Sequence, residues 1–437
     1  MFPDFVLKKK DLVQSVATAF LPRTVLIPLK QETGVVCAPL VKAGDKVQEG
    51  QVIAEDSAGS ESAKIHSSIP GIVLGIKNCS EPDGRYGKGV EIKLSGRFSH
   101  IGKKLKSFDW LSWGGPSITN RISALGVINT FSMRNGRSLS ADIKDAQKSG
   151  APRLFVRLFD EDPSCQTDSV LTQSAFDKIQ LGLEVAVKAL GPAEIIFACK
   201  KDAAFQAKIL ALRPDVEKNG AELFVIPFDT REYPVGVKES LAGRYIKFSK
   251  SQEKERDVIR NSLFVDATTL AVLADSLVYN VPVERVFVHV WGDCLKSGAV
   301  LKVCVGSSFR TLAEQLGLEE KTIGKIIVNG HLNGFSVPSL DTPVAKWVKS
   351  VAFTSKTDLA DYSSAFCFDC GKCSRACPAK IYPNAIFAHL IKRIKVPQDF
   401  IRSSLLCVEC GVCNSVCPTK LPLAETVKIL KDRQNNG

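Results

Sequence analysis

The sequence has no run of apolar residues approaching the ~18 that a membrane-spanning helix needs, so no segment is expected to cross a bilayer. Met1 to Lys10 contain no apolar stretch leading to a small-residue cleavage site. That excludes a secretory signal there, and a cytoplasmic protein is expected. No low-complexity segment interrupts the chain, and no motif interleaves aromatic with basic residues. No nucleic acid is therefore expected as a partner. The formal net charge is nevertheless +12. A surplus of that sign steers encounter with acidic partners, proteins and anionic lipid headgroups among them.

What is present fits a soluble chain of several domains. Its 437 residues suggest two to four, and 45% hydrophobic with 24% charged residues is a globular balance. Short alternating runs at 24–27, 52–54 and 71–76, split by turn residues, predict an all-β region over 24–98 after an N-terminal segment, 1–23. Apolar runs at 154–158, 194–198 and 223–227 predict buried strands. Ile179, Leu183, Val187 and Leu190 recur at helical spacing over 176–190, and 257–279 supplies at least one more helix. Strands alternating with helices give an α/β layer over 115–280. Short strands around one helix at 308–316 fit a β-grasp module over 281–350, and 355–437 reads as helical and cysteine-rich.

The fourteen cysteines are unevenly spread. Cys37, Cys79, Cys165, Cys199, Cys294 and Cys304 are scattered and read as small core residues. The other eight form two runs, CFDCGKCSRACP at 367–378 and CVECGVCNSVCP at 407–418. In a reducing compartment such groups hold metal rather than disulfides. Three cysteines at two-residue gaps, then a fourth before proline, is the bacterial ferredoxin run, whose fourth thiolate ligates the other cluster. One [4Fe–4S] cluster is thus expected on Cys367, Cys370, Cys373 and Cys417, and a second on Cys407, Cys410, Cys413 and Cys377. The fourth cysteine is expected to start a helix pointing away. Structural zinc usually pairs two cysteines with two more ligands at longer spacing, which fits less well. Gly371 and Gly411 are expected to let backbone amides approach the sulfides. The spacer 379–406, with Ile386, Leu390 and Ile394 on one face of a helix over 384–394, favours an α-helical ferredoxin module.

The stretches VKAGDKVQEGQVIA at 41–54 and IHSSIPGIV at 65–73 resemble the biotinyl/lipoyl-type barrel-sandwich fold. Carrier domains of that fold modify a lysine at a hairpin tip flanked by methionines. The matching span here, 57–63, has no lysine, and no methionine flanks Lys64. A docking or scaffold role is expected instead. The order barrel-sandwich, α/β layer, β-grasp and two-cluster ferredoxin, with LDTPV at 340–344, resembles the RnfC family. Its members belong to the Rnf complex, a membrane-bound, ion-translocating oxidoreductase linking NADH and ferredoxin. The α/β and β-grasp parts also resemble the flavin subunit of respiratory complex I. The resemblance implies a multidomain α+β chain: a β barrel-sandwich hybrid, a complex I flavin-subunit-like α/β layer, a β-grasp (SLBB-like) module and a C-terminal α-helical two-cluster ferredoxin domain.

In that family a loop of the form GLGGAGFPTxxK cradles FMN and NAD(H). The corresponding stretch here, GVINTFSMRNGRSL at 126–139, keeps only Gly126 and Gly136, and Phe131, Met133 and Arg134 would obstruct the cradle. DEDPS at 160–164 stands where the family has ECEPY. Tyr233-Pro-Val-Gly236 with Lys238 keeps the family's YPxG segment. Asp266 stands where the family has asparagine, a charge that disfavours flavin phosphate. The expected function is electron transfer between a soluble acidic carrier, ferredoxin or a flavoprotein, and membrane subunits of an Rnf-type complex, from a peripheral position on the cytoplasmic side of the inner membrane. The α/β layer is then a scaffold without NADH dehydrogenase activity of its own. The alternatives are an intact NADH dehydrogenase subunit with a divergent FMN site, or a soluble iron–sulfur protein of the cobalamin reductase kind.

Overall fold

The computed structural model describes residues 13–57, 62–132, 134, 136–218, 220–229, 232–355 and 366–435. Met1 to Lys10, four residues of the 57–63 span, and Met133 and Asn135 of the 126–139 stretch lie outside them. The described chain divides into two compact units: residues 13–330 with 334–355, and residues 366–435 with 331–333.

The larger unit begins with two small sheets. Thr24–Pro28, Tyr86–Leu94, Gly71–Ser80 and Lys46–Val47 form one, in that order, and Ala38–Pro39, Val52–Glu55 and Ile65–His66 the other. Alternation places Val25, Ile27, Ile53, Ile65, Val73, Val90 and Ile92 inside, all at most 1% exposed.

A four-stranded sheet follows, ordered Glu222–Phe228, Glu194–Lys200, Arg153–Arg157 and Ser262–Asp266, with every pair parallel. Both faces are covered. Leu154 and Val156 join the main core on one side, while Phe155 and Phe264 join a separate aromatic cluster with Phe131, Phe159 and Tyr245 on the other. Burial on two faces is why these strands read as continuous apolar runs. The helix Phe176–Leu190 packs Ile179, Leu183 and Leu190 into the main core and ends at Gly191 in the left-handed conformation.

A six-stranded mixed sheet completes this unit, ordered Val16–Thr18, Ala299–Cys304, Arg285–Trp291, Ser350–Ser355, Ile323–Val328 and Phe335–Val337. Its helix, Phe309–Gln315, is capped by the Ser308 hydroxyl, which accepts from the Thr311 N–H. Val16–Thr18 pairs in parallel with Ala299–Cys304, so the described start of the chain is stitched to a strand nearly three hundred positions on.

The regular elements among the described residues of the smaller unit are helices: Lys372–Ala376, Pro383–Ile391, Gln398–Ser404, Val412–Val416 and Leu423–Asn435. Ile381, Ile386, Val427 and Leu430 form its core. The spacer helix stops at Ile391, short of Ile394, because Arg393 turns left-handed ahead of Pro397. Among the scattered cysteines, five are buried and Cys294 is half-buried.

Candidate functional site: two interlocked cysteine sets

The two cysteine runs fold as copies of one turn. Asp369 and Glu409 have φ of 53° and 56°, and each N–H reaches back 3.4 Å to the sulfur of Cys367 or Cys407. Gly371 and Gly411 follow at φ 67° and 71°, a region that glycine enters without penalty. One turn and a half of helix then runs from Lys372 to Ala376 in one copy and from Val412 to Val416 in the other.

The fourth cysteine of each run ends this helix rather than starting one. Cys377 (φ −67°, ψ 121°) and Cys417 (φ −72°, ψ 119°) are extended. The physical reason is the next residue: Pro378 and Pro418 exclude the helical conformation immediately before them. The downstream helices begin only at Pro383 and Leu423.

This turn sends each fourth cysteine to the opposite run. Cys417 lines one cavity with Cys367, Cys370 and Cys373. Cys377 lies close enough to Cys407, Cys410 and Cys413 to act on the charge of each. Cys377 also packs against Ile381, Ile386, Val427 and Leu430, while Leu421 and Leu423 cover Cys373 and Cys417. Burial pushes the Cys410 thiol up to about 12 and raises Cys413 further, helped by the neighbouring cysteines. Burial also raises Cys373 and Cys407. Cys417 moves down: burial raises it, but its bond with the Thr419 hydroxyl and nearby backbone N–H groups outweigh that. Sulfurs disfavoured as isolated anions become favourable ligands once a cation carries the opposing charge. Neither carboxylate nor imidazole lines the Cys417 cavity. An all-sulfur donor set of four suits iron–sulfur or zinc, so the residues present fit such a group.

The α/β layer has a different interior. Open parallel sheets take ligands in the crevice beyond the carboxyl ends of their strands. Here Arg157 and Asp266 stand at those ends and are fully buried. Arg157 donates to the carbonyls of Phe131 (2.8 Å) and Gly236 (2.7 Å), pairs with Glu161, and lies 4.1 Å from the centre of the Phe131 ring. Asp266 accepts from the N–H of Thr269, capping the helix Ala267–Leu273, and from the Thr130 hydroxyl. Lys349 bridges Asp266 (2.6 Å) and Asp168 (2.5 Å). Burial opposes the Asp266 carboxylate, but Lys349 and Arg157 outweigh it and hold Asp266 below the usual range. Burial and the Asp266 charge push Asp168 up.

These buried pairs stand at the strand ends where ligands of open parallel sheets bind. A Cβ on Gly236 would already lie 3.2 Å from Glu161 and 3.3 Å from Arg157. The acids of 160–164 are engaged too: Asp160 accepts from the N–H groups of Asp168 and Ser169, and Asp162 accepts from Ser164. A flavin phosphate at these strand ends would have to displace pairs that are already made. Sequence reasoning singled out Asp266 but missed Arg157, Asp168 and Lys349. The available signal was a pair of lysines, Lys346 and Lys349, inside the otherwise apolar stretch 344–353.

Comparison with known proteins matches residues 7–97 to the RnfC barrel sandwich hybrid domain. The chain is 24% identical over 373 residues to the C subunit of the Na(+)-translocating ferredoxin:NAD(+) oxidoreductase complex of Acetobacterium woodii, covering 83% of this chain and 80% of that protein. It is 25% identical over 390 residues to the C subunit of the proton-translocating ferredoxin:NAD(+) oxidoreductase complex of Clostridium ljungdahlii, covering 87% and 81%. Against the C subunit of the ion-translocating oxidoreductase complex of Yersinia pseudotuberculosis the identity is 24%, over 88% of this chain and 54% of that one. Among solved structures, an NAD+-reducing [NiFe]-hydrogenase in its H2-reduced state aligns with 73% of this chain and 62% of that chain, at 13% identity and a TM-score of 0.49. With a barrel-sandwich match at one end and relatives of this one kind along most of its length, the chain is RnfC-like.

Proposed function

We propose that this chain is the electron-transfer subunit of an Rnf-type ion-translocating oxidoreductase, carrying electrons between a soluble carrier and membrane subunits on two [4Fe–4S] clusters. The observation that supports it most is the exchange of the fourth cysteines between two runs of one conformation. Cys367, Cys370, Cys373 and Cys417 would hold one cluster, and Cys407, Cys410, Cys413 and Cys377 the other. A bound [4Fe–4S] cluster supplies one-electron chemistry at a potential set by its surroundings. The chain's part is to fix those surroundings. The N–H groups of Asp369 and Glu409 aim at the first sulfur of each run, and Leu421, Leu423, Ile381 and Ile386 exclude water.

The two units take separate roles in this reading. The β-sandwich, the flavin-subunit-like α/β layer and the β-grasp (SLBB-like) sheet serve as scaffold and docking platform, and the helical unit is the ferredoxin module. The buried pairing of Arg157 and Asp266 at the strand ends weighs against both alternatives that need FMN. Among the described residues no helix is long and apolar enough to cross a membrane, and attachment at the cytoplasmic face would come through partner subunits. Iron, acid-labile sulfide and flavin counted on one anaerobic preparation test the proposal. About eight irons, about eight sulfides and no stoichiometric flavin are expected per chain. Zinc in place of iron would overturn it.

A further inference from the structure

Between the two Cys-Pro corners lies a cavity of about 720 Å³. Lys372, Arg375, Lys380 and Lys420 line it, all exposed, and its lining contains no carboxylate. Cys377 and Cys417, the two exchanged cysteines, lie in the same lining, beside the exposed Pro378 and Pro418. We propose that this cleft is the docking surface for an acidic electron-carrier protein, an inference that rests on the cluster reading above.

Three observations carry it. First, the cations are placed by the repeat itself. Lys380 and Lys420 each stand three residues after an exchanged cysteine, at φ 55°, with their N–H groups bonded to the carbonyls of Cys377 and Cys417. Any partner drawn to these two lysines is centred over the junction of both cysteine sets. Second, four of the five described acids of this unit are engaged elsewhere, Asp369 by accepting from Asn384. Glu409 pairs with Lys428 and Lys431, Asp432 pairs with Lys428, and Glu425 accepts from Asn414. The four cleft cations make no ion pair among the described residues, although Arg375 donates to the Cys370 carbonyl. Third, the cleft has apolar ground among its charges, in Ala376, Val416 and the two prolines. An opening of this size that mixes four cations with apolar residues matches a protein surface with ringed carboxylates better than a small anion. Complementary charge of this kind raises association rates and falls off with salt over a Debye length of about 8–10 Å.

The test uses the full cluster-loaded chain and stopped-flow reduction by a reduced acidic bacterial-type ferredoxin. Reduced methyl viologen, a small cation, serves as the control reductant. Variants are Lys380→Glu/Lys420→Glu and the milder Lys380→Gln/Lys420→Gln, each with iron counted. The expected result is a second-order rate constant with ferredoxin about tenfold lower or more for the charge reversal, with an intermediate value and a flatter salt dependence for the neutral variant. Viologen rates and iron content stay at wild-type values. An unchanged ferredoxin rate at full iron would overturn the docking site alone. So would a viologen rate that falls in parallel, or inhibition of the wild type by millimolar inorganic phosphate at constant ionic strength. Wild-type chain without iron would overturn the cluster reading itself.

Discussion

Lys349 reaches Asp266 at 2.6 Å, with the lysine 1% and the aspartate 0% exposed. The pair joins the strand Ser350–Ser355 region of one sheet to the last residue of the strand Ser262–Asp266 in another. Through Asp168, Arg157 and Glu161 it extends into a buried network of three acids and two bases. This network ties the four-stranded and six-stranded sheets of the larger unit together.

Removing one member should therefore be costly. Lys349→Met leaves Asp168 and Asp266 facing each other without their shared cation, and a loss of about 3–5 kcal/mol is expected. Adding Asp168→Asn should recover part of it by removing one of two like charges. All four tryptophans, Trp110, Trp113, Trp291 and Trp347, lie in the larger unit, so urea unfolding followed by tryptophan fluorescence reads this unit specifically. A midpoint unchanged in Lys349→Met would show that the network contributes little.

A second pair, of half-buried His100 with buried Glu284, gives a pH dependence. His100 Nδ1 lies 2.7 Å from Glu284, beside Glu49, which accepts the backbone N–H groups of Ser99, His100 and Ile101. Burial pushes Glu284 from 4.5 up to about 7, with the His100 bond pulling the other way. The bond to Glu284 raises His100 above 6.5, against burial. Both shifts are upward, so the folded chain holds protons that the unfolded chain releases. The Glu284 contribution is complete below about 4.5 and is lost as pH rises to about 7. The His100 contribution is complete below 6.5 and is lost as pH rises through its higher folded value. The melting temperature read by tryptophan fluorescence should drop between pH 5 and pH 8 by less in Glu284→Gln than in wild type. Equal drops would contradict this assignment.

The exchange of fourth cysteines has a sharp genetic signature. Cys370→Ala/Cys417→Ala removes two ligands from one set, so about four irons should remain. Cys370→Ala/Cys377→Ala removes one ligand from each set and should damage both clusters. If each run instead held its own cluster, the two double variants would trade behaviours. Iron analysis with low-temperature electron paramagnetic resonance of the reduced proteins separates the cases.

The legible parts of this chain were those with a strong local cause. The helix Phe176–Leu190 follows from apolar spacing and a glycine stop, and the buried strands follow from uninterrupted apolar runs. The cysteine runs share one spacing, and they fold as copies of one turn. What escaped depends on partners distant in sequence. Nothing local marks Val16–Thr18 as the neighbour of Ala299–Cys304. Asp266 reads as a charge that disfavours flavin phosphate, whereas its place is set by Lys349, Arg157 and the helix it caps. The run's spacing predicts a helix starting at each fourth cysteine, whereas the proline beside it disfavours the helical conformation there. The cleft lysines Lys380 and Lys420 look like ordinary surface charge until the repeat brings them to one opening.

The most direct test of the whole reading is an anaerobic absorbance titration of the cluster-loaded chain, first with NADH and then with reduced ferredoxin. Arg157 and Asp266 are buried and paired at strand ends where a flavin of such a layer would be expected, while the exchanged cysteines lie at an open basic cleft. The expected result is that NADH leaves the visible iron–sulfur band unchanged and that ferredoxin bleaches it. Bleaching by NADH at catalytically useful rates, or a band that ferredoxin cannot bleach, would contradict it.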